Sequence, residues 1–190
     1  SEFWHLHRWR PRSSWSVSFA MYKNETIAEA LSPRILTLIL LPTEKCNFRC
    51  TYCYEDFAIG KMSQDVVKGV KKLIENRIPN LDRLTISWFG GEPLLAKNIV
   101  LDIGSYAHKL SRENDINFSA GFTTNAYLLT PELLENFVNI GHRDYQMTLD
   151  GDEKWHDKTR MVANRGPTFG RIWSHLIDYV DVDGNFSISL

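Results

Sequence analysis

Two rhythms of apolar residues alternate along the chain from residue 35 onward. Short β-rich runs at Ile35–Leu41, Leu84–Phe89, Ile116–Thr123, Tyr145–Leu149 and Phe186–Leu190, each bounded by Gly, Asn, Asp or Pro, predict five strands. Between them apolar positions recur at i, i+3/i+4 and i+7. From Ser63, an N-cap, to about Ile78, one face collects Val66, Val67, Val70, Leu73 and Ile74. A second helix runs from about Lys97 to Leu110. A third has Thr130 as N-cap, Pro131 in its first turn and Gly141 as its stop. A fourth spans roughly Thr168 to Val180, with Ile172, Trp173, Leu176, Ile177 and Val180 on one stripe.

Strict alternation of strand and helix means parallel strands joined by right-handed crossovers, so the class is α/β. Length then bears on whether the sheet is open or closed. Strand starts lie about 38 residues apart, so an eight-unit barrel would take roughly 300 residues, near the usual ~250. The expectation for residues 35–190 is a partial (β/α) barrel of about five parallel strands with helices outside, the first part of a longer protein. Its last strand, around Ile188, would leave an open apolar edge that a second copy of the chain could cover. Residues 1–34 form an N-terminal extension of different character, in which Trp4, Trp9 and Trp15 interleave with His5, His7, Arg8, Arg10 and Arg12. A segment packing its tryptophans on the domain is the plainer reading than a basic binding arm.

Composition changes this picture little. With 43% hydrophobic and 12% aromatic residues, the chain has the means to build a real core. The charges nearly cancel, 22 Lys+Arg against 23 Asp+Glu, so neither nucleic acid nor a membrane is an expected partner. No apolar run approaches the roughly 18 residues that span a bilayer, and a cytoplasmic protein is the default.

The three cysteines change it most. Cys46, Cys50 and Cys53 are too few and too close for the disulfide framework of a secreted domain, and point to a metal or cluster. Their C-x3-C-x2-C loop follows the first strand, at the end where parallel α/β folds carry chemistry. Structural zinc wants four ligands, and no His or fourth Cys is near in sequence. Three thiolates suit an iron–sulfur cube whose fourth iron stays open.

Cys46-Asn-Phe-Arg-Cys50-Thr-Tyr-Cys53-Tyr54, with Tyr52 ahead of the third cysteine, resembles the radical S-adenosylmethionine (SAM) enzymes, and within them the peptide-modifying, sulfatase-maturing (SPASM-type) branch. Trp88-Phe-Gly-Gly-Glu-Pro93 is similar to that family's glycine-glycine-glutamate-proline motif. Thr124-Asn125, Thr148-Leu-Asp-Gly151, His156-Asp157 and Arg160 follow in the expected order. The resemblance implies a [4Fe-4S] cluster on Cys46, Cys50 and Cys53, with SAM chelating its open iron. It also implies cofactor contacts from Tyr52 to adenine, from Gly90, Gly91 and Glu92 to the methionine amine, from the Thr148 hydroxyl, and from Arg160 to the carboxylate. Asn125 belongs to the same set, although the family often reads Asn-Gly where this chain has Asn125-Ala126. A reduced cluster would cleave SAM to methionine and a 5′-deoxyadenosyl radical that modifies a peptide or protein side chain, with electrons from a flavodoxin- or ferredoxin-type donor.

Taken singly, these features have plainer readings. Gly90-Gly91 would be a turn pair, Thr124-Asn125 and Asp150-Gly151 strand-ending turns, Arg160 a surface residue, and His156 a surface residue at a helix start. Two other functions also accommodate the cysteine loop: a non-catalytic, metal-stabilised α/β module that binds peptide, and an inactive fragment of such an enzyme.

Overall fold

Chain order and sheet order coincide in this protein. The computed structural model describes residues 27, 28 and 31–190, so the arm expected before residue 27 lies outside the described residues. Five parallel strands, β1 (Ile35–Leu40), β2 (Arg83–Trp88), β3 (Asn117–Thr124), β4 (His142–Met147) and β5 (Ser187–Ser189), lie side by side in one sheet. Helices α1 (Gln64–Arg77), α2 (Lys97–Glu113), α3 (Pro131–Asn139), α4 (Glu153–Thr159) and α5 (Phe169–Asp178) fill the crossovers. A right-handed crossover repeated in one direction lays every helix on the same face, giving an α/β partial barrel whose other face is uncovered among the described residues. Among the described residues no helix is long and apolar enough to cross a membrane.

Two helices begin where their caps predict. Ser63 Oγ accepts the Val66 N–H and Thr130 Oγ1 accepts the Leu133 N–H, with Pro131 in the first turn. Helix α4 is an addition: seven residues without an apolar stripe, started by Asp152 capping the Trp155 N–H. The predicted stripes are wider than the buried ones. Val67 and Ile74 of α1 and Ile172 of α5 are buried, while Val66, Leu73, Trp173 and Ile177 stay exposed.

The helix-side core is built from Leu84, Ile86 and Trp88 of β2, Phe122 of β3, and Tyr145 and Met147 of β4, with Val100, Ile103, Leu134 and Phe137 against them. Strand β4 starts three residues before the predicted Tyr145 because His142 belongs to that core. Its Nε2 accepts the Trp88 Nε1–H at 2.9 Å, its ring stacks on Trp88 and Phe122, and burial pushes its pKa down to about 3. Space for it comes from Gly104 of α2, where a Cβ would lie 2.7 Å from the imidazole Cε1. Ala120 pairs with His142 but Gly121 pairs with Asp144, so Arg143 is an extra residue on β4. In a regular strand His142 and Tyr145 would face opposite ways. The bulge turns both toward the helices.

The register puts Thr37, Thr85, Ser87, Ser119, Thr123, Asp144, Gln146, Ser187 and Ser189 on the uncovered face. The sheet edge at β5 differs from expectation. Ile188 pairs with Tyr145 and is half-buried, and its exposed neighbours are serines; the apolar exposure is confined to Leu190.

Candidate cofactor site

The loop after β1 carries the three cysteines and is fixed on two sides. On one, the turn after β2 approaches so closely that only glycine fits. A Cβ on Gly91 would lie 2.2 Å from the Glu44 carbonyl oxygen, and Gly90, at φ +107°, would place one 2.7 Å from that of Thr43. The Gly91 and Glu92 N–H groups donate to the Thr43 and Lys45 carbonyls at 3.3 and 3.0 Å. Glycine is thus required here to seat the cysteine loop, a reason separate from the approach of a methionine amine. On the other side the loop pairs with residues 159–163: Arg49 N–H donates to Met161 O (2.8 Å), Thr51 N–H to Thr159 O (2.9 Å) and Ala163 N–H to Asn47 O (2.9 Å). That pairing lays Arg160 against the cysteines.

Glu92 is fully buried. Its carboxylate accepts the Leu94 N–H (3.0 Å), the Asn125 N–H (2.8 Å) and the Thr124 hydroxyl (2.8 Å), fastening the end of β2 to the end of β3. Burial pushes its pKa up, against the pull of those donors. Asn125 has a defined position in this geometry: its Nδ2 donates to Asn47 Oδ1 at 2.9 Å and to Cys46 Sγ at 3.7 Å. Ala126 adopts a left-handed φ of +61°, the conformation that explains a glycine preference at this position.

Arg160 ends α4 and is buried. Its guanidinium donates to the Tyr52 hydroxyl at 2.7 Å, and that hydroxyl donates to Asp150 Oδ1 at 3.0 Å, tying the cysteine loop to the segment after β4. His156 is not the surface residue that its place at a helix start suggests. It is fully buried, and its Nδ1 accepts the Asp150 N–H at 3.2 Å, which leaves the proton on Nε2, 3.1 Å from Thr168 Oγ1. The Thr168 hydroxyl then donates to the Arg160 carbonyl at 2.5 Å, so His156 and Thr168 position Arg160. His156 stands in one of the motifs quoted above, but nothing in the sequence marks Thr168 as its partner, because the two are brought together only by folding.

Cys46, Cys50, Cys53, Tyr52, Gly90, Gly91, Asn125, Thr148 and Arg160 all line one cavity. Glu92 sits behind its wall. Phe48 and Thr124, both inside the motifs quoted above, line the cavity as well, as does Thr123, which no motif announces. Burial pushes the Cys46 thiol up to about 11 and also raises Cys50, which Arg160 partly offsets. Three cysteines on one cavity suit a cubane cluster, in which each cysteine takes a different iron. The donor chemistry fits on a second count: the buried Arg160 Nε has no hydrogen-bond partner, as expected where an anionic group binds.

A half-barrel with a cysteine loop at the carboxyl ends of its strands, opening on a cavity with a buried arginine, defines a cofactor-binding α/β protein. The Radical SAM superfamily matches residues 40–185, and the chain belongs to that superfamily, whose members use a [4Fe-4S] cluster and SAM. A cysteine-type anaerobic sulfatase-maturating enzyme of Clostridium novyi is 26% identical over 155 residues, 74% of this chain and 39% of that protein. A GTP 3′,8-cyclase of a Cyanothece species is 34% identical over 111 residues, 56% of this chain and 32% of that protein. The solved structure of native anSMEcpe with bound AdoMet and Cp18Cys peptide shares the fold, with a TM-score of 0.68 at 21% identity, covering 82% of this chain and 42% of that one. The chain spans less than half the length of these relatives.

Proposed function

We propose that the chain is the cofactor-handling part of a radical SAM enzyme that modifies a peptide or protein side chain. The observation that carries this reading is the convergence of Cys46, Cys50, Cys53 and Arg160 on one cavity. Cys46, Cys50 and Cys53 would hold a [4Fe-4S] cluster. Arg160 would pair with the SAM carboxylate, with the Thr148 hydroxyl and the Gly90-Gly91 backbone at the cofactor's flank and Tyr52 near its adenine. Cluster and SAM, when bound, supply reductive SAM cleavage and hydrogen abstraction from the substrate; a flavodoxin- or ferredoxin-type protein in the cytoplasm would supply the electron. The chain's own residues set positions: Glu92 fastens the two strand ends, Asn125 braces Cys46, and His156 with Thr168 holds Arg160. Peptide is favoured over nucleotide because the face beside the cavity offers hydroxyls and the Asp144 carboxylate, groups that suit the hydrogen-bond donors of a peptide.

Anaerobic reconstitution with iron and sulfide tests the assignment. The expected result is about four iron per chain, with 5′-deoxyadenosine formed from SAM and dithionite, and both lost in Cys50→Ala. Colourless protein that takes up zinc alone would overturn it in favour of the non-catalytic module. Mass spectrometry of peptides incubated with the reconstituted chain then tests the substrate class.

A further inference from the structure

The uncovered face of the sheet is chemically unlike a barrel interior. Such interiors are layered with branched apolar side chains; here β1 presents Ile35 and Ile39 on this face and β2 begins with Arg83, whereas the rest of β2 to β5 presents Thr85, Ser87, Ser119, Thr123, Ser187 and Ser189. Near its centre stands one carboxylate, Asp144. Ser119 Oγ donates to its Oδ2 at 3.3 Å from β3, and Ser187 Oγ donates to its Oδ1 at 3.0 Å from β5. Gly121 makes room for it: a Cβ there would lie 2.6 Å from the Asp144 carbonyl oxygen and 3.0 Å from its Cβ. The carboxylate is therefore held in place by its neighbours. It takes no part in the ion pairs Arg34–Asp82, Lys68–Asp65, Lys71–Asp102, Lys72–Glu75 and Lys109–Glu113, and it remains exposed.

Its position relative to the cofactor cavity matters. Thr123 lines both that cavity and the shallow groove around Asp144. Thr123 pairs with Gln146, and Asp144 lies two residues further down the strand, about 7 Å at the usual rise. A backbone lying across the cavity mouth would need a long side chain to reach it. Hydroxyls around an unpaired carboxylate at that depth suit a hydrogen-bonding cation at the end of a flexible stem.

We propose that Asp144, held on this face by Ser119 and Ser187, selects a peptide that presents a lysine or arginine side chain. The inference rests on the peptide reading above and deepens it. An affinity selection of a displayed random dodecapeptide library on the reconstituted chain tests it, with iron content as the check on folding. Lys and Arg should be enriched at one position about three- to tenfold over the input, the range for a partly exposed charge pair. Asp144→Asn should lose that enrichment while keeping its iron, and Asp144→Lys should exchange it for Asp and Glu. Peptides enriched without a charge bias, or a basic bias that persists in Asp144→Asn, would overturn the inference and leave the peptide reading standing. If the wild-type chain enriches no peptide over the bare support, the peptide reading itself falls, and the inference with it.

Discussion

On β2, Leu84, Ile86 and Trp88 turn toward the helices and are fully buried, whereas Thr85 and Ser87, between them, turn toward the uncovered face. The same division continues on β3, with Phe122 buried beside Thr123, and on β4, with Tyr145 buried between Asp144 and Gln146. One face excludes water and the other meets it, although they share every backbone hydrogen bond of the sheet. The alternation of side chains thus separates the residues that hold the fold from those that meet a ligand. Neighbours in sequence should accordingly report in different experiments.

The largest effect belongs to the dry face. Ile86→Ala removes a fully buried side chain and should cost about 2–5 kcal/mol in denaturant unfolding, with the peptide preference of the folded protein unchanged. His142 sharpens the point by titration. Burial lowers its folded pKa from 6.5 to about 3, so the stability it contributes is complete above pH 6.5 and is lost as pH falls toward 3. That loss amounts to about 3 kcal/mol between roughly pH 6.5 and 4. His142→Gln should show a flatter acid limb than wild type by that amount, since the carboxylates are common to both; identical limbs would mean that the imidazole is not held neutral. His156, also lowered by burial, pushes in the same direction in both proteins.

At the rim where the two faces meet, Tyr52→Phe removes the hydroxyl between Arg160 and Asp150. Stability should fall by about 1 kcal/mol and calorimetric SAM affinity should drop, while iron loading is retained. Loss of iron in this variant would show that the hydroxyl holds the cysteine loop rather than the arginine. The smallest effect is on the wet face: Ser87→Ala should lie within about 0.5 kcal/mol of wild type. A cost near that of Ile86→Ala would erase the distinction between the faces.

Much of this organisation is legible in the sequence because it rests on local rules. Period-2 and period-3.6 patterns announce the strands and four of the helices, Ser63 and Thr130 announce two helix starts, and the cysteine spacing announces the loop that carries the site. What stays hidden depends on partners distant along the chain. Helix α4 has no stripe to read. The burial of His142 requires a bulge that exists only against β3, and that of His156 requires the Asp150 amide and Thr168. The need for glycine at residue 91 comes from a carbonyl 47 residues earlier in the chain, at Glu44. Glu92 carries the expected motif yet does not itself line the cavity, because the Leu94 and Asn125 amides and the Thr124 hydroxyl claim its carboxylate.

The extra residue in β4 also sets where the chain tolerates a change of length. Removing one residue from a strand normally turns every later side chain to the opposite face. Excising Gln146 would do so, sending Met147 out of the core. Excising Arg143 would instead leave Gly121 opposite Asp144 and Phe122 opposite Tyr145, since residue 143 has no counterpart on β3. The loss would be confined to its hydrogen bond with the Asn185 carbonyl and to the local twist. Strand β4 thus contains one position at which a codon deletion is expected to be silent for the fold, among neighbours where it would be disruptive.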